Sequence, residues 1–172
     1  MLRSLLLLSA TAFALAACAP PPPTLGPDGK PLPRAYDLSR TDAGTVDYRV
    51  LDSVNTLRAA KGLQPVQLNA QLVAAAATHA RDISVQNRAW HFGSDGSSPV
   101  VRAQRAGYTG RLLGEVISET YETELETLAA WMDEEGTREV ILNPEARDLG
   151  FAWHQDPTSK IWWVMNTGTG GY

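Results

Sequence analysis

The chain has 172 residues, a formal net charge of −4 and one cysteine. A single cysteine rules out an intramolecular disulfide framework, and a mildly acidic chain without a basic stripe argues against a nucleic-acid partner. About 150 residues remain beyond a short leader, enough to bury one core without cross-links.

The N-terminus carries Arg3 and then an apolar run from Leu5 to Leu15. That run is shorter than the roughly 20 residues a membrane-spanning helix needs, so residues 1–17 read as a removable signal peptide. Leu15-Ala16-Ala17-Cys18 resembles a bacterial lipobox. The resemblance implies cleavage before Cys18 and lipid on its thiol. The expected location is the bacterial cell envelope, with the membrane as a partner through that lipid. Ala19 after the cysteine favours the outer membrane where the cell has one. Residues 18–44 then read as the lipidated cysteine and a proline-rich tether, because Pro20 to Pro23 favour extended polyproline II.

A folded domain is expected over 45–172. Tyr48, Leu51, Val54, Leu57 and Arg58 fall at helical spacing, and Gly62 ends that helix. Asn69 is an N-cap for a second helix whose apolar face is Leu72, Val73, Ala76, Ala80 and Ile83. His79 lies on the inward side of that helix and reads as a core histidine. Residues 90–108 are loop-like around a short helix near 100–106, and 111–118 read as a strand. Thr123 and Glu126 form a capping box for a helix carrying Leu125, Leu128, Ala129 and Met132 inward, interrupted at Gly136. Residues 149–154 and 161–167 read as paired strands, with His154 away from any site. Trp162 and Trp163 are adjacent and must point to opposite faces, so one of them is expected to be the better exposed contact. The acidic stretch 115–139 reads mostly as a solvated face. Helices first and a strand pair last predict an α+β fold with an antiparallel sheet.

Four segments in order resemble the CAP superfamily, the SCP-domain proteins related to cysteine-rich secretory proteins, antigen 5 and plant pathogenesis-related proteins. They are Asn55 to Val66; His91-Phe92-Gly93-Ser94-Asp95-Gly96-Ser97 with Arg102 and Ala106-Gly107-Tyr108; Gly114-Glu115-Val116-Ile117; and Trp131 with Arg138 to Pro144. The resemblance implies an α-β-α sandwich with a central antiparallel sheet and a cleft on one side. The family's cleft holds two histidines and two acids. His91 matches the first histidine, Glu115 the first acid and Glu134 the second, while Thr137 stands where bacterial members place the other histidine.

One imidazole and two carboxylates suit calcium or magnesium better than zinc, which favours more nitrogen or sulfur ligands. His91, Glu115 and Glu134 are therefore the candidate metal ligands, and no other cofactor is called for. The leading functional expectation is a binding or envelope-associated module that catalyses nothing, with a lipid, a peptide or a cell-wall component as ligand. There is no Gly-x-Ser-x-Gly elbow and no thiol in the mature domain beyond Cys18. The competing expectation is a protease-like hydrolase with His91 as general base and Glu115 or Glu134 as its acidic partner.

Overall fold

The structure, a computed structural model, describes residues 36–38, 41–120 and 122–171. The leader, Cys18 and the proline run lie outside the described residues. The elements are α1 (Ala43–Ala59), β1 (Gln67–Leu68), α2 (Ala70–Gln86), α3 (Pro99–Arg105), β2 (Leu112–Thr120), α4 (Glu124–Asp133), α5 (Glu135–Ile141), β3 (Asp148–Gln155) and β4 (Ile161–Gly168).

Local chemistry sets most of these boundaries. The Asn69 side chain accepts from the backbone N–H groups of Gln71 and Leu72, two of the donors that a helix start leaves without partners. Asn87, at φ 48°, ends α2 in the left-handed conformation that asparagine tolerates. The Thr123–Glu126 capping box is present in both directions. Asp42 caps α1, and Leu38 ahead of it is buried in the core, so packed chain begins upstream of the expected boundary at 45.

The four strands lie in the order β1-β3-β4-β2. β4 pairs antiparallel with both β2 and β3, as expected, but β1 joins β3 in parallel. The sheet is therefore mixed. A two-residue strand between helices has too few residues to show a periodicity, which is why the sequence does not reveal it.

Helices cover both faces. On one face Val46, Val50 and Val54 of α1, Leu128 and Trp131 of α4 and Ile141 of α5 pack on Val116, Phe151, Trp163 and Met165. On the other, Ala76, Ala80 and Ile83 of α2 pack on Ala152, Trp162 and Val164. Trp162 and Trp163 do point to opposite faces, yet both are fully buried. The expectation of one exposed tryptophan fails because each face has its own helical cover.

α2 lies very close to the sheet. A Cβ on Gly150 of β3 would sit 2.3 Å from the carbonyl carbon of Leu72, so only glycine fits there. Arg58 is also fully buried, where the apolar spacing suggested only a helix face. Its guanidinium donates to the carbonyls of Gln64, Ile141, Asn143 and Ala146, which ties α1 to the loop after α5.

α4 is rotated from its expected orientation. Thr127, Leu128 and Trp131 point inward together with Glu124, whose charge is met by Arg49 at 2.7 Å. Leu125 and Ala129 are exposed instead. The helical break falls at Glu134, in extended conformation, and Gly136 lies within the first turn of α5.

Candidate functional site

The site begins with an irregularity in β2. The register with β4 shifts between Leu112 and Gly114. Leu112 packs with Leu72 and Ala103 on the α2–α3 side, whereas Leu113 joins the opposite cluster and Gly114 abuts Val140 of α5. Two consecutive residues thus face one way, as a bulge allows, and Glu115 returns to the α2–α3 side.

There its carboxylate is buried, with its side chain 2% exposed. Arg102 of α3 reaches it through one terminal nitrogen, at 2.9 Å from Oε1 and 2.8 Å from Oε2. The other terminal nitrogen of Arg102 donates to the carbonyls of His91 and Ser97. One side chain therefore both neutralises Glu115 and holds the loop that presents His91.

His91 lies 3.0 Å from Glu115 Oε1 through Nδ1, and its side chain is 54% exposed. An ionised carboxylate only accepts hydrogen bonds, so Nδ1 carries the proton in this contact. His79, from α2, is fully buried with Nε2 2.9 Å from the Trp90 carbonyl and 3.8 Å from the same Glu115 oxygen. Burial lowers the pKa of His79, more strongly than nearby Glu115 raises it. Its Nδ1 has no hydrogen-bond partner among the described residues.

His91 and Glu115 therefore meet, as their motif positions implied. Glu134 does not join them. It is exposed at the α4–α5 junction, and those helices pack on the opposite face of the sheet. The Thr137 hydroxyl, in the position of the family's second histidine, donates its one proton to the Trp131 carbonyl, lies within reach of that of Glu134, and so serves the same junction. Among the described residues no three histidine, cysteine or acidic side chains form a metal-type group. With Glu115 engaged by Arg102 and Glu134 elsewhere, the residues present do not fit a resident cation at His91, Glu115 and Glu134.

Sequence reasoning missed two members of this cluster. Arg102 lies within the His91 to Tyr108 motif, but nothing in its spacing ties it to Glu115, and the sequence offers only its place in that motif as a signal. His79 was read as a core residue, which is correct for its burial and misses its neighbour.

One groove borders the cluster, and a second lies on the other face of the sheet. The first, of about 430 Å³, runs between α2 and α3 and is lined by Thr78, Asp82, Ser94, Asp95 and Arg105. Burial pushes the Asp82 carboxyl up, but hydrogen bonds from Ser94 and Gln86 outweigh it and hold the pKa below the usual value. The other, of about 530 Å³, lies between α1 and α4 and is mainly apolar, with Leu57, Leu125, Leu128, Ala129 and Met132 along it. The outward-turned Leu125 and Ala129 belong to this groove.

The sequence model of the cysteine-rich secretory protein family, CAP, matches residues 51–167. The chain belongs to the CAP family. Over 116 residues it is 29% identical to the uncharacterized protein YkwD of Bacillus subtilis, covering 67% of this chain and 44% of that relative, so the match spans less than half of YkwD. The CAP fold also aligns with an outer surface protein of Borrelia burgdorferi at a TM-score of 0.68 and 16% identity, covering 74% of this chain and 94% of that one. An extracellular SCP-domain protein of Bacillus anthracis aligns at 0.69 and 21% identity, covering 86% of this chain and 45% of the other. At these identities the structural likenesses speak for the fold alone.

Proposed function

We propose that this CAP-domain protein is exported, is held to a membrane by lipid on Cys18, and binds a ligand at the cell envelope without turning it over. Export is supported by the leader and lipobox-like residues, and by the outer-surface and extracellular descriptions of the two structural relatives. The observation that carries the binding reading is the engagement of both Glu115 oxygens by Arg102. A carboxylate so held orients a histidine but is poorly placed to take up or release a proton. The second acid that hydrolysis would call on, Glu134, stands on the other side of the sheet.

The apolar α1–α4 groove supports a lipid chain or an apolar peptide segment as the ligand, since small-molecule sites are concave, mostly apolar and roughly 300–1,000 Å³. The test uses the full chain in detergent with a fluorescent fatty acid, alongside sedimentation with purified cell walls. Saturable fatty-acid binding that falls at least tenfold in Leu125→Glu is expected. No binding to either probe above a control domain would sink the proposal. Cys18→Ser should move the protein from the membrane to the soluble exported fraction.

One observation favours a hydrolase as a second reading. The His91 ring is half exposed and backed by Glu115, the arrangement of an oriented general base. His91→Ala should then abolish any hydrolysis by the purified chain, and activity surviving that change removes this reading.

A further inference from the structure

The cluster around Glu115 gathers two imidazoles and a guanidinium about one buried carboxylate, although among the described residues it does not form a metal-type group. A buried carboxylate has two imidazole nitrogens beside one of its oxygens, at 3.0 Å and 3.8 Å. Tetrahedral zinc with bonds of about 2.0–2.1 Å sets its ligand atoms roughly 3.3 Å apart, but here His91 Nδ1 hydrogen-bonds to the carboxylate and His79 Nε2 to the Trp90 carbonyl, so a zinc ion would have to displace both protons. What stands against the carboxylate instead is a guanidinium, 6% exposed and in contact with both oxygens.

We propose that Arg102 is the resident cation of this site, a covalently attached charge that takes the place of a divalent ion and keeps one out. Three properties support this. The charge of Glu115 is already cancelled by a guanidinium at 2.8 Å, so an incoming dication would meet a neutral pair and not a free anion. Both oxygens of Glu115 already accept from Arg102, so an incoming ion would have to compete with the guanidinium for them. Arg102 also performs the ordering that a structural ion gives, because its second terminal nitrogen ties the His91 and Ser97 carbonyls and so fixes the loop over the site. An ammonium could not reproduce this, since it lacks the planar fork. The inference concerns the His91 cluster alone and stands or falls separately from ligand binding in the α1–α4 groove.

The experiment measures zinc binding by the full chain in detergent, by calorimetry and by the shift in melting temperature. It compares the natural chain, Arg102→Met, Arg102→Lys and the double variant Arg102→Met with His91→Ala. The natural chain should show no zinc-dependent melting shift. Arg102→Met should bind zinc at least tenfold more tightly than the natural chain, and the double variant should lose that gain. Arg102→Lys keeps the charge and should stay near the natural chain. Should Arg102→Met lose its fold in metal-free buffer, recovery of the folded signal on adding zinc is the same expectation. The proposal is overturned by zinc binding in the natural chain that His91→Ala removes, by an Arg102→Met variant that zinc neither binds nor restores, or by Arg102→Lys binding as tightly as Arg102→Met.

Discussion

Replacing Arg58 with methionine isolates one buried group that holds two distant parts of the chain together. Methionine keeps the long apolar stem, so the cavity term is small and the loss is mainly that of the guanidinium. Four backbone carbonyls lose a donor, those of Gln64, Ile141, Asn143 and Ala146, at 2.8–3.2 Å. The bonds to Ile141 and Ala146 are buried, but the Ala146 carbonyl also accepts from Arg147 at 2.7 Å and that of Asn143 from the Ala146 backbone N–H, so Ile141 is the buried carbonyl left without a donor. A buried acceptor left without a partner costs about 1–3 kcal/mol, and the other three keep a second donor or can be partly solvated. Against this, the variant no longer desolvates a charge, whose burial pushes the Arg58 pKa down. A net loss of about 2 kcal/mol follows, and for a domain of this size that is a fall of roughly 6 °C in melting temperature. Circular dichroism melts of the full chain measure it, with urea titration as a check on the slope. Arg58→Lys, with one nitrogen and three donors, should fall between. A melting temperature for Arg58→Met within about 2 °C of the natural chain, below the fall expected for even 1 kcal/mol, would refute the reasoning, because the four contacts would then contribute nothing net.

Gly150→Ala should lower stability by about 1–3 kcal/mol or more, since its methyl would collide with backbone and not with a side chain that can turn away; unchanged urea midpoints would show that α2 moves freely over β3. His79 gives a pH dependence of defined sign. Burial holds its folded-state pKa below the ordinary 6.5, so the unfolded chain binds the proton more readily. That contribution to stability is complete above about pH 6.5 and is lost as pH falls through that value toward the lower folded one. His79→Gln can still donate to the Trp90 carbonyl and should flatten the fall; a melting temperature that is equally steep in both chains between about pH 7.5 and 5.5, the range that brackets an ordinary histidine, would assign it to other groups.

Much of the fold was legible in the residues because its determinants are local. The caps at Asn69 and Thr123 and the turn between β3 and β4 each act within a few positions. The expected face of α1 was only partly right, since Val54 and Arg58 are buried but Tyr48 is exposed and Val46 and Val50 face the core instead. The parallel β1 was not legible, being two residues that become a strand only when β3 lies alongside. The orientation of α4 was misread because Leu125 and Leu128 both look like core residues. Only the neighbour α1 decides that Leu128 is covered while Leu125 borders a groove.

The site divides in the same way. The sequence by itself determined which residues carry the CAP pattern, that Thr137 stands in place of a histidine, and that His91 and Glu115 belong together. Tertiary structure decided what that pair can do. A bulge before Glu115 selects the face on which its side chain lies, and alternation with a period of two cannot anticipate a one-residue slip. Arg102, 13 positions away, and His79 on α2 reach Glu115 only because α2 and α3 pack on that same face. Electrostatics depends on distance in space and on burial, and neither is a property of the chain order.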